Sequence, residues 1–176
     1  MILVHRMKRI KLIIVVFALL AGFGAKAQQD TAKEEGLVWY TSLMEANSAS
    51  VASNKPIFAF FTGSDWCGWC KKLQRDVFAK TAFIEWAKEN VILLELDFPR
   101  SKQLSPDLAQ QNASLQQTFQ VRGYPTIWLF TMSNEEDPDN YIISALGSCG
   151  YPSGAEKGKE EVKFLSTVNA ILKKEE

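Results

Sequence analysis

Apolar residues recur along the chain in two rhythms, one helical and one extended, and their succession predicts an order of elements. Leu37, Tyr40, Leu43, Met44, Ala46 and Ala49 share roughly one helical face, predicting a helix over 37–51 that Asn54-Lys55-Pro56 breaks. The run Ile57-Phe58-Ala59-Phe60-Phe61 shows no polar alternation and lies between Pro56 and Thr62-Gly63-Ser64. Such a run suits a central strand covered on both faces. Gly63-Ser64-Asp65 offers caps for a helix that starts near Trp66 or Cys67 and runs through Lys71, Leu73, Val77 and Phe78. Phe83-Ile84 and Trp86-Ala87 continue or restart it. A second strand is expected over 91–96, closed by Asp97-Phe98-Pro99. Ser105-Pro106-Asp107 reads as an N-cap followed by proline in the first helical position, where the missing N–H is not needed. That helix extends towards Phe119; Arg122-Gly123-Tyr124-Pro125 is a turn, and 126–130 is a third strand. Acidic residues 134–140 have hairpin-loop chemistry, with 141–146 as the returning strand. Val162, Leu165, Val168 and Leu172 place a last helix over 160–173. A β-α-β half followed by a β-β-α half predicts one α/β domain, with a central mixed sheet of four to five strands flanked by helices.

Charge changes the picture at the N-terminus. The chain has 20 Lys/Arg and 20 Asp/Glu, but residues 1–27 hold five of the basic residues and no acid. The remainder therefore carries 15 basic against 20 acidic residues, a net charge of −5. Nothing in that balance points to nucleic acid or an anionic membrane as partner. Within 1–27, Met7-Lys8-Arg9-Ile10-Lys11 is a basic start, and Leu12 to Ala25 is an uninterrupted run of 14 apolar or glycine residues. Ala25-Lys26-Ala27 then supplies small residues for a cleavage site. The run falls short of the roughly 20 residues that cross about 30 Å of hydrocarbon. Residues 1–27 are read as a signal peptide cut near Ala27/Gln28, with an uncleaved anchor as the alternative. Residues 28–36 are a polar, flexible lead-in, and the domain occupies 37–176. The expected location is periplasmic or secreted, where a disulfide persists and enzymes that exchange disulfides are needed.

The single histidine, His5, lies in the signal segment. The remaining chain has no Ser-His-Asp or Cys-His nucleophile, no Cys₂His₂ zinc site and no C-x-x-C-H haem attachment. What it has is Trp66-Cys67-Gly68-Trp69-Cys70-Lys71-Lys72, after a predicted strand and at the start of a predicted helix. The amide end of a helix favours a thiolate. Cys67 is thus expected as the exposed attacking sulfur, and Cys70, one turn on, as the one that resolves the mixed disulfide. A structural bridge, or half of a metal site, is the alternative for this pair. No second ligand pair exists, so neither a metal nor a cofactor is expected.

The run 62–73 resembles the active site of the thioredoxin superfamily, and Tyr124-Pro125-Thr126, 55 residues beyond Cys70, resembles that family's cis-proline loop. Leu96-Asp97 and Gly147 also fall where the family pattern puts them. The resemblance implies a thioredoxin-like fold over about 37–173. It implies a thiol–disulfide oxidoreductase with Cys67 and Cys70 as catalytic residues. Trp66, Gly68, Trp69, Tyr124 and cis Pro125 would then form the surface that receives substrate. Partners would be protein thiols or disulfides in the cell envelope, with a membrane electron donor; reduction is the favoured direction. Three departures stand out. The strand 57–61 lacks the buried acid of many thioredoxins, Gly68-Trp69 replaces the usual Gly-Pro between the cysteines, and 99–111 and 148–158 are long. The missing acid supports a rival reading: a binding or chaperone-like module on the same fold with a redox-inert disulfide. A thiol peroxidase lacks its expected threonine and arginine. Cys149 is left without a partner by the C-x-x-C pair; it is either an idle thiol or one that pairs with another molecule.

Overall fold

The computed structural model describes residues 36–133 and 141–173 and begins with an element that the hydrophobic pattern did not predict. Trp39–Tyr40 is a short strand, β1, lying parallel to β3 (Ile92–Asp97) with Trp39 opposite Leu93. The predicted helix over 37–51 is therefore wrong at its start: helix α1 spans Leu43–Ser53. Leu37 and Trp39 are buried with exposed Val38 between them, a period of two, and an edge position beside β3 supplies the backbone partners. Ser42 caps α1, its Oγ accepting the Glu45 N–H at 3.3 Å. The face that α1 buries is Ala46, Asn47 and Ser50; Met44 is exposed. Asn54 ends the helix in the left-handed region, at φ 53°.

Strand β2 (Ile57–Thr62) is buried at every residue, as its composition predicts. It lies between β3 and β4 (Thr126–Ser133), and the five-stranded sheet runs β1-β3-β2-β4-β5, with β5 at Ile142–Cys149. Strands β1, β3 and β2 are parallel, whereas β4 runs antiparallel to both β2 and β5. The mixed sheet is thus the predicted one with an added edge. Gly147 pairs with Leu129 and Ala145 with Phe130, so Leu146 is an extra residue that bulges β5.

Alternation along β2 and β3 divides the core. Phe58, Phe60 and Leu93 face one cluster with Leu73, Val77, Phe78, Phe83 and Phe164. Ile57, Ala59, Phe61, Leu94 and Leu96 face the other, with Ala46, Leu115 and Phe119. The first side is covered by α2 (Gly68–Leu73), a π-turn at Gln74–Phe78, α3 (Thr81–Asn90) and α5 (Glu160–Leu172). The second is covered by α1 and α4 (Pro106–Thr118), the latter capped by Ser105 as expected. Helix α5 buries Phe164, Val168 and Ile171, not the predicted Val162, which is exposed. It rides so close on β5 that a Cβ at Gly147 would lie 2.9 Å from the Ile171 side chain. The predicted signal peptide, most of the lead-in and the acidic hairpin lie outside the described residues.

Candidate active site

Strand β2 delivers the chain into a tight loop in which Gly63 C=O accepts the N–H of Trp66 at 3.2 Å and of Cys67 at 2.8 Å. A side chain at Gly63 would collide with the Trp66 ring, its Cβ falling 2.4 Å from Cε2. Cys67, rather than the predicted Ser64 or Asp65, is the N-cap of α2: its Sγ accepts the Cys70 N–H at 3.1 Å. Cys67 and Cys70 are joined by a disulfide. Cys67 was expected exposed; it retains 5% of its surface and Cys70 none, because the bridge draws both into the cluster with Phe60 and Ile127. The order of access is as expected, but the margin is narrow.

Of the residues expected to receive substrate, Trp66 is 36% and Trp69 58% exposed, large values for such side chains. Gly68 is exposed and faces open space. Trp66 meets Tyr124 edge-on at 5.6 Å, and Tyr124 is half-buried, its hydroxyl accepting from Gln116 at 2.6 Å. The Tyr124–Pro125 bond is cis. Trp69 packs edge-on against Tyr151 at 5.1 Å, so part of the long 148–158 segment joins the rim. Lys72 also lies over the Tyr151 ring, and bonds both its hydroxyl and Asp76.

The acids near the site do different work from that expected. Asp65 caps no helix: its carboxylate accepts from the Arg100 N–H, the Ser101 N–H and the Ser101 hydroxyl. Those bonds, the Ser101 hydroxyl first, hold its pKa down at about 2. Asp97 accepts from the Ser64 N–H at 2.8 Å and hydroxyl at 2.7 Å, and pairs with Lys102 at 3.1 Å. Glu95 is opposite Phe60, so it points to the sheet face that carries the cysteines. Burial raises its pKa, the Asp97 charge adds to that, and Lys102 opposes it.

That shift has a sign. Below the unfolded-state carboxyl value of about 4.3, Glu95 is protonated in both states and the folded chain gains fully. As pH rises through the higher folded value, the charge must be carried in place and stability is lost. Glu95→Gln removes the loss. Urea unfolding from pH 4 to pH 8 is expected to show the variant gaining on the parent as pH rises; a constant difference would refute the assignment.

Cys149 pairs with Ile127 on the sheet and packs against the cysteine cluster. Burial pushes its thiol up to about 12. At neutral pH it is protonated, a poor nucleophile for reaching a second molecule.

Strand, capped cysteine pair, cis-proline turn and mixed sheet now stand together, and a family model for a thioredoxin-like domain matches residues 43–136. The chain belongs to that thioredoxin-like family. It is 33% identical over 104 residues to the disulfide bond reductase DsbH of Chlamydia pneumoniae, covering 59% of this chain and 63% of that protein. It is 25% identical over 162 residues to the thioredoxin-related protein DsbJ of the same organism, covering 90% of this chain and 45% of that protein. The chain thus spans less than two thirds of either relative. Among solved structures, a DsbH oxidoreductase superposes with a TM-score of 0.63 at 29% identity, covering 79% of this chain and 86% of that one. The thioredoxin-like fold carries the mixed, helix-flanked sheet expected from the chain's own pattern, with the unpredicted β1 added at its edge. Residues 95, 97, 100, 101 and 151 were not singled out for the roles they take, because their partners are remote in sequence.

Proposed function

We propose that the chain is a thiol–disulfide oxidoreductase acting outside the cytosol, in the reductive direction, on disulfides of exported proteins. The observation that carries this reading is the Cys67–Cys70 pair at the start of α2, with the Cys70 N–H directed at Cys67 Sγ. In the reduced protein that donor favours a Cys67 thiolate. The thiolate attacks a substrate disulfide, forming a mixed disulfide and releasing one substrate thiolate. Cys70 then gives up its proton and attacks Cys67 Sγ, releasing the second substrate thiol and leaving the pair oxidised. A membrane donor restores the dithiol with two electrons. Substrate backbone docks beside Tyr124-Pro125 and its side chains lie on Trp66 and Trp69. Glu95, on the cysteine face, receives the Cys70 proton in place of the acid absent from β2; Glu95→Gln then slows the second step and spares the first. The names of the two relatives support this chemistry, and the 1–27 segment supports export. Among the described residues no helix is long and apolar enough to cross a membrane.

Equilibration in glutathione buffers, read by the fluorescence of Trp66 and Trp69, tests the direction. A potential near about −270 mV with reduction of insulin fits a reductase, and one near about −120 mV fits an oxidant of folding proteins. A pair that stays oxidised and leaves insulin intact refutes exchange and favours the binding-module reading.

A further inference from the structure

The rim of the cysteine pair carries a cation that, among the described residues, forms no ion pair. Arg100 places its guanidinium over Trp66, Cζ 3.9 Å from the ring centroid, a separation that suits face-on stacking, and Trp66 is the residue before Cys67. This placement is built rather than incidental. Asp65 takes the Arg100 N–H at 3.0 Å and the Ser101 N–H at 2.6 Å, while the Trp66 Nε1–H donates to Phe98 C=O at 2.8 Å. Two consecutive residues of the active-site loop therefore staple 98–101 to the edge of the site. Asp65 stays ionised at any ordinary pH, so a change of pH does not undo the staple.

Most of the neighbouring charges are paired. Lys72 and Arg75 pair with Asp76, and Lys102 pairs with Asp97. Asp65 is occupied by the 100–101 backbone, and Lys71, which forms no ion pair among the described residues, is tied to the Asp65 C=O rather than to an aromatic face. Among the described residues Arg100 forms no ion pair and is exposed. Stacking uses the flat face of a guanidinium and leaves its N–H edge for a carboxylate, which it meets with two parallel bonds. Residues 28–176 carry a net −5, so this positive edge is not the general character of the surface.

We infer that Arg100 on Trp66 is a specificity element, recognising a carboxylate one or two residues from the substrate cysteine that Cys67 attacks. The inference rests on the exchange function proposed above and names its substrate class: protein disulfides flanked by Asp or Glu. A solvent-exposed pair is modest in strength, so the preference is about two- to fivefold at low ionic strength.

The test uses two disulfide peptides that differ only in Glu or Gln beside the cysteine, and compares kcat/KM for the reduced protein. The parent is expected to favour the Glu peptide by that factor, less so in high salt. Arg100→Gln brings the two peptides to one rate, and Arg100→Glu inverts the order. A parent that treats the peptides alike, or an Arg100→Gln variant that keeps the preference, overturns the inference. If neither peptide is reduced, the exchange function fails, and the specificity element is judged on binding to the oxidised protein, read by Trp66 fluorescence. Tighter binding of the Glu peptide that Arg100→Gln abolishes upholds it; equal binding overturns it.

Discussion

Replacing Cys70 by serine is expected to leave a protein that attacks once and stops. Cys70 is fully buried at the third helical position after the cap, and serine is close enough in volume to keep α2 in place. The Cys67 thiolate still forms and still opens a substrate disulfide. No second sulfur is then available to release the product, so turnover falls by about three orders of magnitude or more, equivalent to roughly 4 kcal/mol of barrier. The mixed disulfide accumulates and is visible on a non-reducing gel as a band lost on adding dithiothreitol. Cys67→Ser loses turnover equally but traps nothing, because the cap position, not the buried one, makes the first attack. Cys149 is the control: with its thiol pushed up to about 12, Cys149→Ser alters neither the rate nor the trapped band. A Cys70→Ser protein that keeps turning over, or one whose adduct disappears with Cys149, would refute the assigned order.

The parts of this site that were legible in the sequence are those whose cause is local. Phe58-Ala59-Phe60-Phe61 has no polar alternation and became the strand buried on both faces. Ser105-Pro106 is a start signal whose donors and acceptors lie within four residues, and it became a helix start. The cysteine pair was placed by the same logic. What failed was whatever is held from a distance. The alternation at Leu37-Val38-Trp39 is too short to outweigh the helical spacing that follows, so β1 was absorbed into the following helix, although Ser42 followed by Glu45 is a capping pattern that marks the true start. Ser64 and Asp65 are residue types that cap helices, yet both turn towards partners more than thirty residues away, at Asp97 and at Arg100–Ser101. No spacing rule encodes those bonds. They exist because parallel β2 and β3 end side by side, with Thr62 opposite Asp97, which brings the two following loops together. The strand β2 has no carboxylate along its own run, whereas Glu95 on the neighbouring strand faces the same side of the sheet as Phe60.

The π-turn shows the same dependence on tertiary packing, and its removal should be costly. Gln74–Phe78 widens the helix that begins at the cysteines, and Val77 and Phe78, adjacent in sequence, are both buried. A regular α-helix turns successive residues about 100° apart, which spreads its buried positions; the wider turn seats both in one cluster. The Phe78 ring lies 4.6 Å from Phe83, 5.1 Å from Phe60 and 5.5 Å from Trp39, each between centroids. It thereby ties the active-site helix to β2, β1 and α3 at once. Phe78→Ala is expected to cost about 3–5 kcal/mol, a large share of the roughly 5–15 kcal/mol that holds a domain of this size. Urea unfolding of the oxidised protein measures it, with Val51→Ala, at a site 70% exposed, as the comparison expected within about 0.5 kcal/mol of the parent. A loss below about 1 kcal/mol would mean that the cluster closes over the gap, and that the helix behind the cysteines is anchored elsewhere. The predicted loss instead makes Phe78 the anchor that keeps the Cys70 N–H directed at Cys67 Sγ, linking the stability of the core to the chemistry of the pair.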